Sequence, residues 1–256
     1  MSSTAPAPAP GNLEEPPVLD LPRTALFADL DGTLAPIEAT PADVKPDAAR
    51  RRLLGSLSAA LGGRLAIISG RGLVDLDRLL EGRIGPVAAV HGLVRRRADG
   101  ALATPALQAR IETAAVALRD FARRDPRLLV ENKDAAVALH YRRAPALETD
   151  CRDFIHDLAA RCGLEVQRGD MVAEILAPGP DKGDAVAAFM REPPFAGFSP
   201  VYVGDDLTDE AAFSTVQALG GYGVLVGSRR PTAALYGLRD VDAVRAWLVL
   251  ALEPLP

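Results

Sequence analysis

What the 256-residue chain lacks narrows its function before any motif is read. It carries only two cysteines, Cys151 and Cys162, with neither metal-site spacing nor the partners of a disulfide framework, so both are expected as reduced thiols. No Lys/Arg tract is long enough for a basic arm, and a formal charge of -5 with a pI near 5.3 argues against a nucleic-acid partner. The run "RRR" at 95–97 reads as a solvated edge. No uninterrupted apolar stretch reaches the roughly 18 to 20 residues of a membrane span, and "AVRAWLVLAL" near the C-terminus falls short. The opening "MSSTAPAPAPGNLEEPPVLDLPR" has neither the charged n-region nor the apolar h-region of a secretory signal. Its Pro/Ala alternation predicts a disordered leader over residues 1–22. A cytoplasmic protein without membrane or nucleic-acid partners is the expectation.

What the chain does have is apolar residues at 48%, enough for a large core. Strand-like runs "TALFADL", "RLAIIS", "GPVAAVH", "PVYVGD" and "GYGVLVG" alternate with helical patterns such as "PDAARRRLLGSLSAALG", "GLVDLDRLLEG", "KGDAVAAFMRE" and "LTDEAAFSTVQALG". That alternation predicts an α/β fold with a Rossmann-like parallel sheet, whose chemistry belongs at the carboxyl ends of its strands. The pattern changes over 105–178, where an α-β-β unit is followed by another: "PALQARIETAAVALRDFARR", "RLLVEN", "AAVALHYR", then "ALETDCRDFIHDLAARC", "LEVQRG", "MVAEILAP". Such a segment suits an inserted α+β cap, an antiparallel sheet backed by two helices. The core is then expected in two pieces, 23–104 and 179–256, with the cap at 105–178.

The stretch "ALFADLDGTLAPI" ends a buried strand on two acids, Asp29 and Asp31. Carboxylates that close repel and are partly desolvated, and a divalent cation compensates both effects. Mg²⁺ prefers carboxylate oxygens and also neutralises a phosphate brought against Asp29. Asp29 is then placed to attack phosphorus, and Asp31 to protonate the leaving oxygen and later deprotonate water. A solvated "DG" turn is the plain rival reading. Three further stretches extend the pattern. "AIISGR" ends a strand on Ser69, a phosphate donor or a helix N-cap. "GPDKGDAV" puts Lys182 at a helix start, where the helix dipole disfavours a cation unless an anion compensates. "VYVGDDLTDEAAF" again runs a strand into acids, Asp205, Asp206 and Asp209.

In this order "DLDGT", "ISGR", "PDKG" and "GDDLTDE" resemble the four motifs of the haloacid dehalogenase superfamily. With "AVHG", "ALHYRRAP" and "VAEI" included, the chain from about Arg23 onward is similar to the trehalose-6-phosphate phosphatases. The resemblance implies Mg²⁺-dependent hydrolysis of a small-molecule sugar phosphate, trehalose 6-phosphate, through an aspartyl-phosphate. It implies Asp29 as nucleophile, Asp31 as acid/base, and Ser69 and Lys182 on the phosphoryl group. Metal ligands would be Asp29, the Asp31 carbonyl and Asp205, supported by Asp206 and Asp209. Gly70, Arg71, His91 and Gly92 would line the core side of the cleft, with Glu131, Lys133 and Glu174 of the cap on the sugar. A monomer is expected. One departure is Asp170, where members of the family often carry Lys.

The motifs leave two other readings open. Another sugar-phosphate phosphatase of the superfamily would share the whole core, since only the cap reads the sugar. A catalytically silent sugar-phosphate sensor would keep the fold but has no need of both aspartates in "DLD".

Overall fold

The apolar segments become strands buried on both faces. A computed structural model describes residues 13–82, 84–104, 108–133, 135–169, 171–227 and 230–253. It opens with β1 (Thr24–Ala28), α1 (Ala48–Ala60), β2 (Leu65–Ile68), α2 (Leu73–Leu80) and β3 (Val87–Ala89), followed by the short β4 (Val94–Arg96) and β5 (Leu102–Ala103). The middle supplies α3 (Gln108–Ala122), β6 (Leu129–Lys133), β7 (Ala136–His140), α4 (Glu148–Cys162), β8 (Glu165–Gly169) and β9 (Val172–Leu176). The chain ends with α5 (Lys182–Met190), β10 (Ser199–Gly204), α6 (Glu210–Ala218), β11 (Tyr222–Val226), β12 (Tyr236–Leu238) and α7 (Val241–Leu250).

The first and last groups form one eight-stranded sheet, β12-β11-β10-β1-β2-β3-β4-β5, parallel as far as β3 and antiparallel beyond it. Because successive strand residues point to opposite faces, β1 serves two cores. Leu26 and Ala28 pack with Leu54, Leu76 and Leu248, on the side of α1, α2 and α7. Ala25 and Phe27 pack with Phe189, Phe195 and Phe213, on the side of α5 and α6. Helices on both faces explain why these strands read as unbroken apolar runs.

The second sheet, β6-β7-β9-β8, is antiparallel throughout and alternates instead. Its Val137, Leu139, Ala173 and Ile175 are buried with Ile111 and Leu118 of α3 and Ile155 and Leu158 of α4. The Phe121 and Phe154 rings, one from each helix, stack at 4.1 Å. Its other face carries polar residues.

Several expectations change. Residues 13–22 of the expected leader are seated on the core, while 1–12 lie outside the described residues. Glu14 bridges to Tyr236, Leu19 is buried, and the Trp247 indole N–H donates to the Pro17 carbonyl at 2.9 Å. Leu13, Leu19 and Leu21, beyond the Pro/Ala repeat, supply the apolar surface that holds the segment. The "RRR" run is not a solvated edge: Arg95 and Arg97 both pair with Glu192, and Arg96 chelates Asp77 at 2.8 and 2.7 Å. Strands β4, β5 and β12 and helix α7 were not among the predicted elements. No helix among the described residues is long and apolar enough to cross a membrane.

Candidate active site

Asp29 sits one residue past β1, its N–H donating to the Val203 carbonyl of β10 at 2.9 Å, so the parallel pairing itself fixes it at the sheet tip. Its neighbour strand β10 ends on Gly204, and Asp205 follows. Gly32, at φ 80°, turns the chain beside Asp205, and a Cβ at that position would collide with the Asp205 carboxylate. The Thr33 hydroxyl then reaches Asp205 Oδ1 at 3.4 Å. Glycine at 32 is thus what lets the two acidic loops approach each other.

Lys182 opens α5 with 2% of its surface exposed. The cation is compensated by anions: Nζ stands 2.7 Å from Asp209 Oδ1 and 3.2 Å from Asp29 Oδ1. Burial alone would lower the Lys182 pKa, but Asp209 and Asp29 outweigh it and raise it, so the ammonium stays charged. Asp209, fully buried, also accepts from the Tyr202 hydroxyl at 2.6 Å and from the Asp206 N–H at 2.9 Å. One carboxylate therefore fixes a lysine, a tyrosine and the turn of the acidic loop.

Oxygens of Asp29, Asp205 and Asp209 all lie within 4.8 Å of one another. Against this one ammonium stands. The excess of negative charge shows in the carboxyl pKa values. Burial, with the neighbouring carboxylates, pushes Asp29 well above its ordinary range and Asp205 up to about 7. A cluster of hard oxygen donors short of positive charge could hold a divalent cation. Asp29 and Asp205 each use Oδ1, toward Lys182 and Thr33, and keep Oδ2 for a cation, whereas both oxygens of Asp209 already accept hydrogen bonds. Asp206 is not in this cluster; its carboxylate accepts from the Thr208 hydroxyl at 3.3 Å. The Asp31 carboxylate turns instead to Arg71, whose Nε and Nη2 grip its two oxygens at 2.6 and 2.7 Å. Arg71 in turn is fixed by Asp75 and by the Pro41 carbonyl at 3.0 Å.

Ser69 follows β2 directly, its N–H paired to Ala88 and its side chain 1% exposed. The hydroxyl accepts from the Arg71 N–H at 3.3 Å, which leaves its own proton available to the cleft. Beside it, a Cβ on Gly70 would sit 2.5 Å from the His91 ring, so that position accepts only glycine. Val90 and His91 both hold left-handed backbone, φ 48° and 58°, a strain of about 1 to 3 kcal/mol each that the packing maintains. Gly92 does not reach the cavity wall. Its missing side chain makes room for the Asp181 carbonyl at the start of α5.

The polar face of the second sheet covers this floor. Glu174 of β9 pairs with Lys133 of β6 and stands 3.2 Å from His91 Nε2. Burial would raise the Glu174 carboxyl, but Lys133 and His91 hold it well below the usual range. Burial pushes the His91 imidazole down, and its Nδ1 has no hydrogen-bond partner among the described residues. Glu131 Oε2 accepts from His140 Nε2 at 2.8 Å. Between floor and roof lies a cavity of about 240 Å³ lined by Asp29, Ser69 and Lys182 below and Glu131, Lys133 and Glu174 above. Ile37, Thr40, Pro41, Gln167 and Thr208 also line it and are not among the residues the sequence points to. Tyr202 was hidden as well, since mid-strand it reads as one more apolar residue. Asp170 lies outside the described residues.

Comparison with known proteins follows the same lines. A family model described as trehalose-phosphatase matches residues 27–242. The chain is 40% identical over 229 residues to a probable trehalose-phosphate phosphatase of Sinorhizobium fredii, covering 88% of this chain and 86% of that one. It is also 40% identical over 242 residues to the trehalose-6-phosphate phosphatase of Escherichia coli, covering 92% and 89%. Among solved structures, a trehalose-6-phosphate phosphatase related protein superposes with a TM-score of 0.76 at 26% identity, covering 88% of this chain and 95% of that one.

Proposed function

We propose that this chain, which belongs to the trehalose-phosphatase family of phosphoric monoester hydrolases, hydrolyses trehalose 6-phosphate to trehalose and phosphate. In this reading residues 105–178 are a cap over a core made of 23–104 and 179–256. The observation that carries it is the cavity itself, which joins a floor of Asp29, Ser69 and Lys182 to a roof of Glu131, Lys133 and Glu174.

The residues divide the reaction between them. Asp29 attacks phosphorus with a carboxylate oxygen, forming an aspartyl-phosphate as the bond to the sugar oxygen breaks. Asp31 supplies the proton that leaving oxygen takes up. In the second half Asp31 removes a proton from water, the water oxygen attacks phosphorus, and Asp29 leaves as a free carboxylate. Lys182 and the Ser69 hydroxyl hold the phosphoryl oxygens throughout. Arg71 grips both oxygens of Asp31 in the structure, which suits the anionic base of the second half; the acid step requires that grip to loosen as substrate enters. Mg²⁺ held by Asp29, Asp205 and the Asp31 carbonyl would neutralise charge on the phosphoryl group. Glu131, Lys133 and Glu174 orient the sugar, and entry of the sugar replaces pairings they make with His140, His91 and each other. Gly70 and His91 shape the wall beneath them.

Phosphate release measured across trehalose 6-phosphate, sucrose 6-phosphate, glucose 6-phosphate and p-nitrophenyl phosphate tests this. The highest kcat/KM is expected on trehalose 6-phosphate. A clear preference for another sugar phosphate overturns the substrate, and no turnover of any ester overturns the enzyme.

A further inference from the structure

The register of the second sheet puts four residues in one row across all its strands. Glu131 lies opposite Ala138, Ala138 opposite Glu174, and Glu174 opposite Gln167. Directly opposed residues project on the same face, and here Glu131, Glu174 and Gln167 all line the cavity. Strand spacing of about 4.8 Å puts the ends of the row roughly 14 Å apart, the scale of two linked sugar rings rather than one. The small Ala138 between the two glutamates leaves the middle of the row open.

Hydrogen bonding separates Gln167 from its row mates. Glu174 Oε1 is committed to Lys133, with Oε2 facing His91 Nε2 at 3.2 Å without a hydrogen bond among the described residues, and Glu131 is committed to His140. No hydrogen bond is made by the Gln167 side chain among the described residues, although it lines the cavity from β8, the edge strand of its sheet. An amide offers two donor hydrogens and an acceptor oxygen on one rigid plane. A sugar hydroxyl needs both kinds of partner at once, and a neutral amide provides them without the desolvation cost of a charge. A site that commits such a group to a hydroxyl rejects ligands lacking it, because the group is then left unpaired.

We infer that Gln167 is a specificity-determining contact to a sugar hydroxyl, marking the end of the row opposite Glu131 and so selecting a disaccharide phosphate over a monosaccharide phosphate. The inference rests on the reading of this cavity as the sugar site. Gln167 is half-buried on an edge strand and belongs to none of the three apolar cores, so its replacement leaves them untouched.

The test compares the parent with Gln167→Ala and Gln167→Glu on trehalose 6-phosphate, glucose 6-phosphate and p-nitrophenyl phosphate, with melting temperature as the control for folding. Gln167→Ala should lower kcat/KM on trehalose 6-phosphate by about 5- to 20-fold, the scale of one or two lost neutral hydrogen bonds, and change p-nitrophenyl phosphate less than about twofold. Gln167→Glu, which keeps acceptors and loses donors, should fall between parent and Gln167→Ala. Product trehalose, titrated into the metal-loaded protein by calorimetry, should bind correspondingly more weakly to Gln167→Ala. Equal effects on all three esters, or no loss on the disaccharide phosphate, overturn the inference while leaving the phosphatase reading in place. A parent that prefers another disaccharide phosphate, with the loss appearing on that ester, overturns the substrate and sustains the role of Gln167. A parent that prefers glucose 6-phosphate overturns both.

Discussion

Floor and roof of the cleft handle charge in opposite ways. On the floor, Asp29, Lys182 and Asp209 are at most 5% exposed and stand on strand tips and a helix start whose positions the large sheet dictates. Their charges do not balance, and burial together with the neighbouring carboxylates pushes Asp205 up to about 7. On the roof, the acids and bases of the small sheet come close to mutual satisfaction, Lys133 with Glu174 and Glu131 with His140. An unbalanced floor calls for an outside cation and an outside anion. A balanced roof can accept a neutral ligand rich in hydroxyls, provided the ligand offers equivalent hydrogen bonds. On the proposed function chemistry belongs to the floor and selectivity to the roof, and that separation can be tested.

The largest expected effect lies on the floor. Asp29→Asn keeps shape and hydrogen bonds but cannot form an acyl-phosphate, so turnover on every ester should fall by at least about 10³-fold. Steady-state phosphate release checks this, and a sizeable residual rate would sink covalent catalysis through Asp29. On the roof, Glu131→Ala and Lys133→Gln, which keeps a donor beside the buried Glu174, should lower kcat/KM on trehalose 6-phosphate by about 10- to 1000-fold, or roughly 1.4 to 4 kcal/mol of transition-state binding. A small aryl phosphate, which cannot reach the roof, should lose far less. Equal losses on both substrates would erase the distinction between floor and roof. Glu174→Gln is preferable to Glu174→Ala at the third position. Removing the whole side chain would strand Lys133, whose side chain is 7% exposed, as an unpaired buried charge.

The same division governs what could be read from the sequence. Asp29, Ser69, Lys182 and Asp205 stood out because each follows an apolar run or opens a helix, and local sequence fixes both kinds of position. Their mutual distances could not be read, since they come from parallel pairing between strands far apart in the chain. The roof was legible as an α-β-β repeat with alternating strands, but its cross-strand partners were not. Which residue opposes Glu174 depends on register, and nothing local announces that Gln167 does. Arg95 and Arg97 misled for a related reason: Glu192, which neutralises them, lies almost 100 positions away. Residues 13–22 were obscured by the Pro/Ala repeat before them, although Leu19 and Leu21 carried the apolar signal for docking.

A prediction of intermediate size concerns the unbalanced charge. In the metal-free protein Asp205 has a pKa raised to about 7, so below that pH it holds a proton that Mg²⁺ must displace. The sign follows directly. Mg²⁺ affinity should fall as pH drops through about 7, by up to about tenfold per unit for the proton on Asp205, and more steeply where Asp29, raised as well, also holds a proton. Calorimetric titration of Mg²⁺ at several pH values, read as the dissociation constant and as proton release in buffers of different ionisation enthalpy, measures it. Chelation with EDTA should silence the enzyme and Mg²⁺ restore it. Affinity independent of pH between 6 and 8, or full activity after thorough chelation, would mean that the floor does not need the cation.

The smallest effect is expected one layer below the floor. Tyr202 donates to the same Asp209 oxygen that takes Lys182, at 2.6 and 2.7 Å. Both side chains are completely buried, so the phenol can be replaced by nothing from solvent. Tyr202→Phe keeps the ring and its edge-on packing against Phe213 while deleting a single donor. Loss of a hydrogen bond to a buried carboxylate should cost about 1.5 to 3 kcal/mol of folding stability, visible as a lower melting temperature. With one donor gone, Asp209 leans more heavily on Lys182 and draws the ammonium from Asp29 and the phosphate. The turnover number should then fall about two- to fivefold, with KM for trehalose 6-phosphate unchanged, because the sugar is held on the roof. A variant that loses stability but keeps its turnover number would make Tyr202 a purely structural donor. One that raises KM alone would mean that floor and roof are coupled through Asp209, and the division between them would have to be redrawn.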